Sequence, residues 1–241
     1  MKAMIFAAGL GTRLKPFTDH HPKALAEVNG KTLLEHSIRF LQKFGIEDVI
    51  INVHHFADQI EEVINDNSGF GSWVTISDER EMVLETGGGL QKAAPYFEDE
   101  EDFVVMNVDV LTNLDLGKMI EMHQQSDALA TLAVMQRNSS RQLLFDEHMI
   151  LCGWTNTATG EQKISREVLS LKPFAFSGVQ VLSKGIFEMP FHGKFSMIDL
   201  YLHFARNQLI KGFDHTGNIF IDVGKPESLE KASYLFGAEL E

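Results

Sequence analysis

The stretch Ala3-Met4-Ile5-Phe6-Ala7-Ala8-Gly9-Leu10-Gly11-Thr12-Arg13-Leu14 decides how the rest of the chain is read. Residues 2–7 read as a buried strand that empties into a glycine loop. Arg13, Lys15 and Lys23 stand close behind it. Such an arrangement can surround a polyphosphate: backbone N–H groups approach where no Cβ obstructs, and the cations neutralise the oxygens. Two common phosphate loops do not match. A Walker A loop ends Gly-Lys-Ser/Thr, whereas Gly11 is followed by Thr12-Arg13. A dinucleotide fingerprint needs a third small residue where this chain has Leu14, which is too large for close helix–strand packing. A bare Gly-x-Gly is as readily a tight turn as a ligand loop.

The same alternation continues outward from the loop. Leu33, Leu34, Ile38, Leu41 and Phe44 form a helical stripe over residues 32–44, ended by Gly45. Residues 48–53 read as strand, 57–65 as helix and 73–77 as strand. A helix over residues 90–97 is expected after Gly87-Gly88-Gly89. Phe103-Val104-Val105-Met106 is a continuous apolar run, as in the covered centre of a parallel sheet. This βαβ rhythm predicts an α/β fold with right-handed crossovers and ligands at the carboxyl ends of the strands. Further on, residues 128–135, 174–182 and 220–221 read as strands. Residues 197–205 and a segment from Pro226 to about residue 236 read as helices. The polar piece from Thr155 to Glu161 is expected to form a hairpin or flap over the site. No hexapeptide β-helix repeat follows residue 225.

Composition narrows the class. The chain has 241 residues, 44% apolar and 23% charged, as in an ordinary soluble domain with a substantial core. Its formal net charge of −13 argues against general nucleic-acid or anionic-membrane binding. No apolar run reaches the ~20 residues of a membrane span, and no signal-peptide pattern opens the chain. The single Cys152 excludes an internal disulfide and fits a reducing cytoplasm; it is expected in a loop-like stretch. Asp115 reads as a helix cap. His20-His21 read as local hydrogen-bonders. Adjacent His54-His55 cannot chelate together from one strand.

The longer string Gly9-x-Gly11-Thr12-Arg13-Leu14-x-Pro16-x-Thr18, then Pro22-Lys23-Ala24, resembles the signature of the sugar-1-phosphate nucleotidylyltransferases. The likeness implies a single Rossmann-like three-layer domain over residues 1–241, with a mixed, mainly parallel central sheet. Asn107-Val108-Asp109 and Asp222-Val223-Gly224-Lys225-Pro226 resemble the family segments whose aspartates hold Mg²⁺, so the likeness assigns the metal to Asp109 and Asp222. Lys225 departs from the usual Thr. Leu84-Glu85-Thr86-Gly87-Gly88-Gly89 is similar to short, single-domain members such as the N-acetylmuramate-1-phosphate uridylyltransferases and the mannose- and heptose-1-phosphate guanylyltransferases. Its glycines are expected to floor the nucleoside. Phe176-Ser177-Gly178-Val179 resembles the segment against the sugar. Many hexose-1-phosphate enzymes carry Glu-Lys-Pro before that strand, with the lysine on the sugar phosphate; here Gly153-Trp154-Thr155-Asn156 stands instead. Lys163, Arg166 and Lys172 are candidate substitutes, and the run Ser139-Ser140-Arg141-Gln142 is a candidate sugar reader.

The resemblance implies in-line attack of a sugar 1-phosphate on a nucleoside triphosphate, releasing pyrophosphate. It places Ala8, Gly9, Leu10, Gly11, Thr12, Thr86, Gly87 and Asn107 on the nucleotide. Gly88, Ser177 and Gly178 fall on the sugar, and Arg13, Lys23 and Asp109 in catalysis. UTP is favoured as donor through residues 85–89, with GTP next. Other readings stay open: a cytidylyltransferase on another phosphorylated substrate, a catalytically silent nucleotide-sugar sensor, or a glycosyltransferase of related fold. The last normally shows Asp-x-Asp, absent at Asn107-Val108-Asp109. A homo-oligomer is compatible with the sequence, which carries no signal of oligomeric state.

Overall fold

The computed structural model describes residues 1–236. β1 (Ala3–Phe6) is buried at every residue. A small ribbon, β2 (Glu27–Val28) and β3 (Lys31–Thr32), precedes α1 (Leu33–Gln42). Thr32 caps α1 by accepting from the Glu35 N–H at 3.1 Å, which satisfies one of the orphan donors of the first turn. Then follow β4 (Asp48–Val53), α2 (Ala57–Asp66), β5 (Trp73–Asp78), α3 (Glu85–Ala93) and β6 (Asp102–Asn107). β6, β1, β4 and β5 lie side by side, all parallel. Their apolar runs are those of strands covered on both faces.

The second half completes the sheet less regularly. It holds β7 (Val110–Thr112), α4 (Leu116–Gln124), β8 (Ala130–Met135), β9 (Arg141–Phe145), β10 (Leu151–Asn156) and β11 (Glu161–Ile164). After these come β12 (Lys172–Ser183), α5 (Met197–Phe204), β13 (Ile210–Asp214), β14 (Phe220–Asp222) and α6 (Pro226–Phe236). The long β12 runs antiparallel between β6 and β8, and β13 runs parallel to β8. The central body is therefore mixed, with β12 alone reversed. The start of β12 leaves this body to pair with β9, extending the sheet through β10 and β11 as antiparallel strands. The expected hairpin around residues 155–161 is the β10–β11 turn. Asp115 caps α4 as expected, accepting from the Lys118 N–H at 3.1 Å.

The sheet separates two apolar layers, and β1 shows how. Ala3 and Ile5 face a core shared with α1, α2, α4 and α6; Met4 and Phe6 face one shared with α3 and α5. The period-two alternation of a strand produces this division directly.

Three local expectations are corrected. Helix α3 begins at Glu85 and includes all three glycines, where the glycines were expected to precede the helix. Tertiary packing overrides their poor helix propensity. A Cβ on Gly87 would lie 2.4 Å from the Phe195 ring, and one on Gly88 would lie 2.1 Å from the Gly193 carbonyl oxygen. On Gly89 it would meet Glu79 Oε1 at 2.7 Å. Close packing of the helix against residues 193–195 and Glu79 leaves no room for a side chain at these glycines. Cys152 sits inside β10, buried, and donates to the Ile150 carbonyl at 3.3 Å. Burial pushes its thiol pKa up, the opposite of an activated nucleophile. β7, β13 and the β2–β3 ribbon have no counterpart in the sequence reading. The single-domain span drawn to residue 241 ends outside the described residues.

Candidate active site

The carboxyl ends of four adjacent parallel strands converge on one cleft. β1 delivers Ala7 to Arg13, β4 delivers Asn52, β5 delivers Glu79, and β6 delivers Asn107, Val108 and Asp109. Val83, Glu85 and Thr86 line a further wall, with Lys194 and Gly224 completing it around about 500 Å³. In a parallel sheet these ends are where loops diverge and leave a crevice.

The glycine loop owes its shape to its neighbours. Gly11 has φ 61°, and a Cβ there would lie 2.8 Å from Thr18 Cγ2 and 3.0 Å from Lys23 Cβ. Its carbonyl accepts from Leu14 N at 2.8 Å and Thr18 Oγ1 at 3.0 Å. Gly9 is different: a Cβ there meets nothing within 4 Å. The space over Gly9 is open cleft, so close backbone approach is its use.

Two residues absent from the sequence reading anchor the loop. Asn52 Oδ1 accepts from Ala7 N at 2.7 Å and Ala8 N at 3.3 Å. Asn52 Nδ2 donates to Glu79 Oε1 at 2.7 Å, and Glu79 Oε2 accepts from Leu84 N at 3.3 Å. Glu79 thus ties the start of the loop to the entry of α3. Burial pushes its pKa up, and these hydrogen bonds oppose the shift. No local motif marks the pair, because 27 residues separate them. Glu85 itself has φ 59°, a left-handed backbone that is uncommon for a residue with a Cβ.

The three cations behind the loop separate. Lys15 pairs with Asp19 at 2.8 Å and is not among the cleft-lining residues. Lys23 is buried and ion-paired with Asp109. Arg13 lies over Gly224, where a Cβ would stand 3.0 Å from its Nη2 and 2.8 Å from Asp222 Oδ1. A side chain at position 224 would push the guanidinium and the carboxylate away. The two aspartates meet through pairing of the short strands: Val110 registers with Asp222, and Val223 N donates to the Asp109 carbonyl at 2.8 Å. Asp222 is exposed at its tip, yet enough protein surrounds it for desolvation to push its pKa up. The Asp109 charge adds to this shift, while Lys23, Arg13 and Arg137 oppose it. Among the described residues no three His, Cys, Asp or Glu side chains form a metal cage. A carboxylate pair is nonetheless the protein share of a Mg²⁺ site whose other ligands are phosphate and water.

The remaining expected residues divide. Thr86 lines the cleft, its hydroxyl accepting from Met197 N at 3.0 Å. Gly87 and Gly88 lie behind the wall, packed on Phe195 and Gly193, so Gly88 does not face the cleft as a sugar contact would. Gly178 has φ 70° at an irregularity in the β12–β8 pairing, where a Cβ would meet Asn107 Nδ2 at 2.8 Å. Ser177 is buried and bonded through Oγ to His215 Nε2 at 2.7 Å. Lys194, which no motif marked, sits 3.6 Å from Glu85.

A family model described as "Nucleotidyl transferase" matches residues 2–143, the half of the chain carrying the loop, Lys23 and Asp109. The chain belongs to the nucleotidyl transferase family. Two relatives match along nearly its whole length. This nucleotidyltransferase is 31% identical to the N-acetylmuramate alpha-1-phosphate uridylyltransferase of Neisseria meningitidis, covering 99% of each chain. It is 30% identical to the D-glycero-alpha-D-manno-heptose 1-phosphate guanylyltransferase of Campylobacter jejuni, over 94% of this chain and 96% of the relative. Crystalline HddC from Yersinia pseudotuberculosis, complexed with GMP-PN, superposes with a TM-score of 0.78 at 28% identity, covering 98% of this chain and 99% of HddC.

Proposed function

We propose that this nucleotidyltransferase joins a nucleoside triphosphate to a sugar 1-phosphate, giving a nucleoside-diphosphate sugar and pyrophosphate. The observation that carries the reading is the meeting of Lys23 with Asp109, and of Arg13 with Asp222 over Gly224, at the mouth of the glycine loop. In the reaction an oxygen of the sugar phosphate attacks the α-phosphorus. The bond from that phosphorus to the bridging oxygen breaks, and its electron pair leaves with pyrophosphate. Positioning and charge neutralisation suffice for such a displacement, and no protein nucleophile is needed. Backbone N–H groups from Gly9 to Thr12 hold the triphosphate, Arg13 meets the charge on departing pyrophosphate, and Lys23 spans the α-phosphate and the incoming phosphate.

Asp109 and Asp222 are the residues to hold Mg²⁺, with substrate phosphates filling its coordination. Bound there, the ion would withdraw charge from the α-phosphate oxygens and the leaving group. UTP is the donor we favour, supported by the likeness of residues 85–89 and by the full-length uridylyltransferase relative. GTP is the second reading, supported by the heptose relative and by HddC. A pyrophosphate-release panel tests all of this: four triphosphates against N-acetylmuramate, mannose, glucose and heptose 1-phosphates, with and without Mg²⁺. One pair should dominate, and chelation should abolish release. Release from no pair would overturn the proposal; undiminished release in chelator would remove the metal from it.

A further inference from the structure

Two of the three cations considered for the missing lysine are tied down elsewhere, and the third stands away from the central body of the sheet. Arg166 donates from Nε to the Ala205 carbonyl and from Nη2 to the Gln208 carbonyl, the latter at 2.8 Å. Lys163 pairs with Asp199 at 3.1 Å and lies 5.6 Å from the Trp154 ring centroid. Lys172 opens β12 where that strand has already left the central body to pair with β9.

Arg137 sits differently. It lies two residues past β8, outside the residues that line the cleft but at the same end of the sheet as the carboxyl ends of β1, β4, β5 and β6. Its Nη2 donates to the Phe176 carbonyl at 2.9 Å, and its guanidinium carbon stands 4.7 Å from the Phe220 ring centroid. Its Nε is buried without a hydrogen-bond partner. Asp222, two residues beyond Phe220, faces it at Coulombic range without a hydrogen bond. Ser177 and His215 adjoin the same patch: the His215 ring lies edge-on to Phe220 at 6.3 Å, and its Nδ1 also lacks a partner.

A half-buried cation with an orphaned N–H is costly to keep, by about 1–3 kcal/mol for the unmade bond. Burial accordingly pulls its pKa down, and only Asp222 opposes that. A guanidinium clamped by a carbonyl and a ring presents a rigid planar fork that matches phosphate. The reaction also has a use for such a group. Arg13 is assigned to the departing pyrophosphate and Lys23 is shared between the two phosphates, so a second phosphate approaching beside two carboxylates is helped by a further positive charge. We propose that Arg137, held by the Phe176 carbonyl and the Phe220 ring beside Asp222, binds the phosphate of the sugar 1-phosphate; this rests on the nucleotidyl-transfer reading above.

The test is steady-state pyrophosphate release by wild type, Arg137→Gln and Arg137→Lys, using the best pair from the panel. Arg137→Gln should raise KM for the sugar 1-phosphate roughly 10- to 100-fold, the value of one charge-assisted phosphate contact. KM for the triphosphate should stay near wild type. Arg137→Lys should fall between, since it restores the charge but not the fork. Equal rises in both KM values, or a fall in kcat with both KM values unchanged, would overturn the assignment and leave Arg137 a support for Asp222. Should the Gln variant not fold, the Lys variant carries the same KM comparison. Wild-type protein that releases no pyrophosphate from any pair overturns the parent reading and this assignment with it, a result distinct from an active enzyme indifferent to Arg137.

Discussion

On the glycine-loop side of the cleft, the lining residues come mostly from one run, Phe6 to Arg13, joined by Lys23. Arg137, Ser177 and His215 come instead from separate strands or the residues just after them, spread from residue 137 to residue 215. The first side is a local structure that a strand, two glycines and two cations can specify. The second exists only once β8, β12, β13 and β14 are assembled.

The largest expected effect is on the local side. Lys23→Met should lower kcat about 10²- to 10³-fold, the cost of one preorganised charge at a developing anion. Circular dichroism should show the fold intact. A variant turning over near the wild-type rate would remove the loop from the chemistry. Asn52→Ala probes what supports that loop. It strands the Ala7 and Ala8 N–H groups and leaves buried Glu79 without its main donor, so urea unfolding should report a loss of about 2–3 kcal/mol. No loss would mean that the loop stands without its tertiary anchor.

Two glycines sharpen the comparison next. Gly88→Ala would drive a methyl into the Gly193 carbonyl and should cost about 1–3 kcal/mol of stability. Gly9→Ala enters open space and should cost under about 0.5 kcal/mol, while raising KM for the triphosphate. A reversal of these outcomes would exchange the roles given to the two glycines. The smallest effect per group comes from pH. Burial lowers the pKa of His36, His123 and His215 below 6.5. Their folded forms resist protonation that the unfolded chain accepts, so stability is complete above pH 6.5 and falls as pH drops from there towards the folded values. Each histidine contributes at most about 1.4 kcal/mol per pH unit in that window. Melting temperatures measured from pH 7.5 to pH 5.5 should decline, and a flat profile would show that these histidines take up protons in the fold as readily as in the unfolded chain.

Much of the scaffold was legible from periodicity. β1, α1, β4, α2 and β6 carry apolar patterns long enough to specify their own element. The misreadings share a cause. β7 has three residues, too few to show a period, yet its pairing with β14 is what brings Asp109 to Asp222. Gly87 to Gly89 contradict helix propensity because the reason for them lies at residues 193–195 and at Glu79. Arg137 carries no motif, and its partners stand in other strands.

By itself, the sequence determined the α/β class and the family, since these rest on short-range patterns of burial, glycine and charge. Only the tertiary structure decided which cations reach the cleft and which are tied down, that Asn52 and Glu79 brace the loop, and that a guanidinium with an unpartnered Nε lies near Asp222. Those outcomes depend on strand register and helix packing, which set distances between residues that the chain itself places far apart.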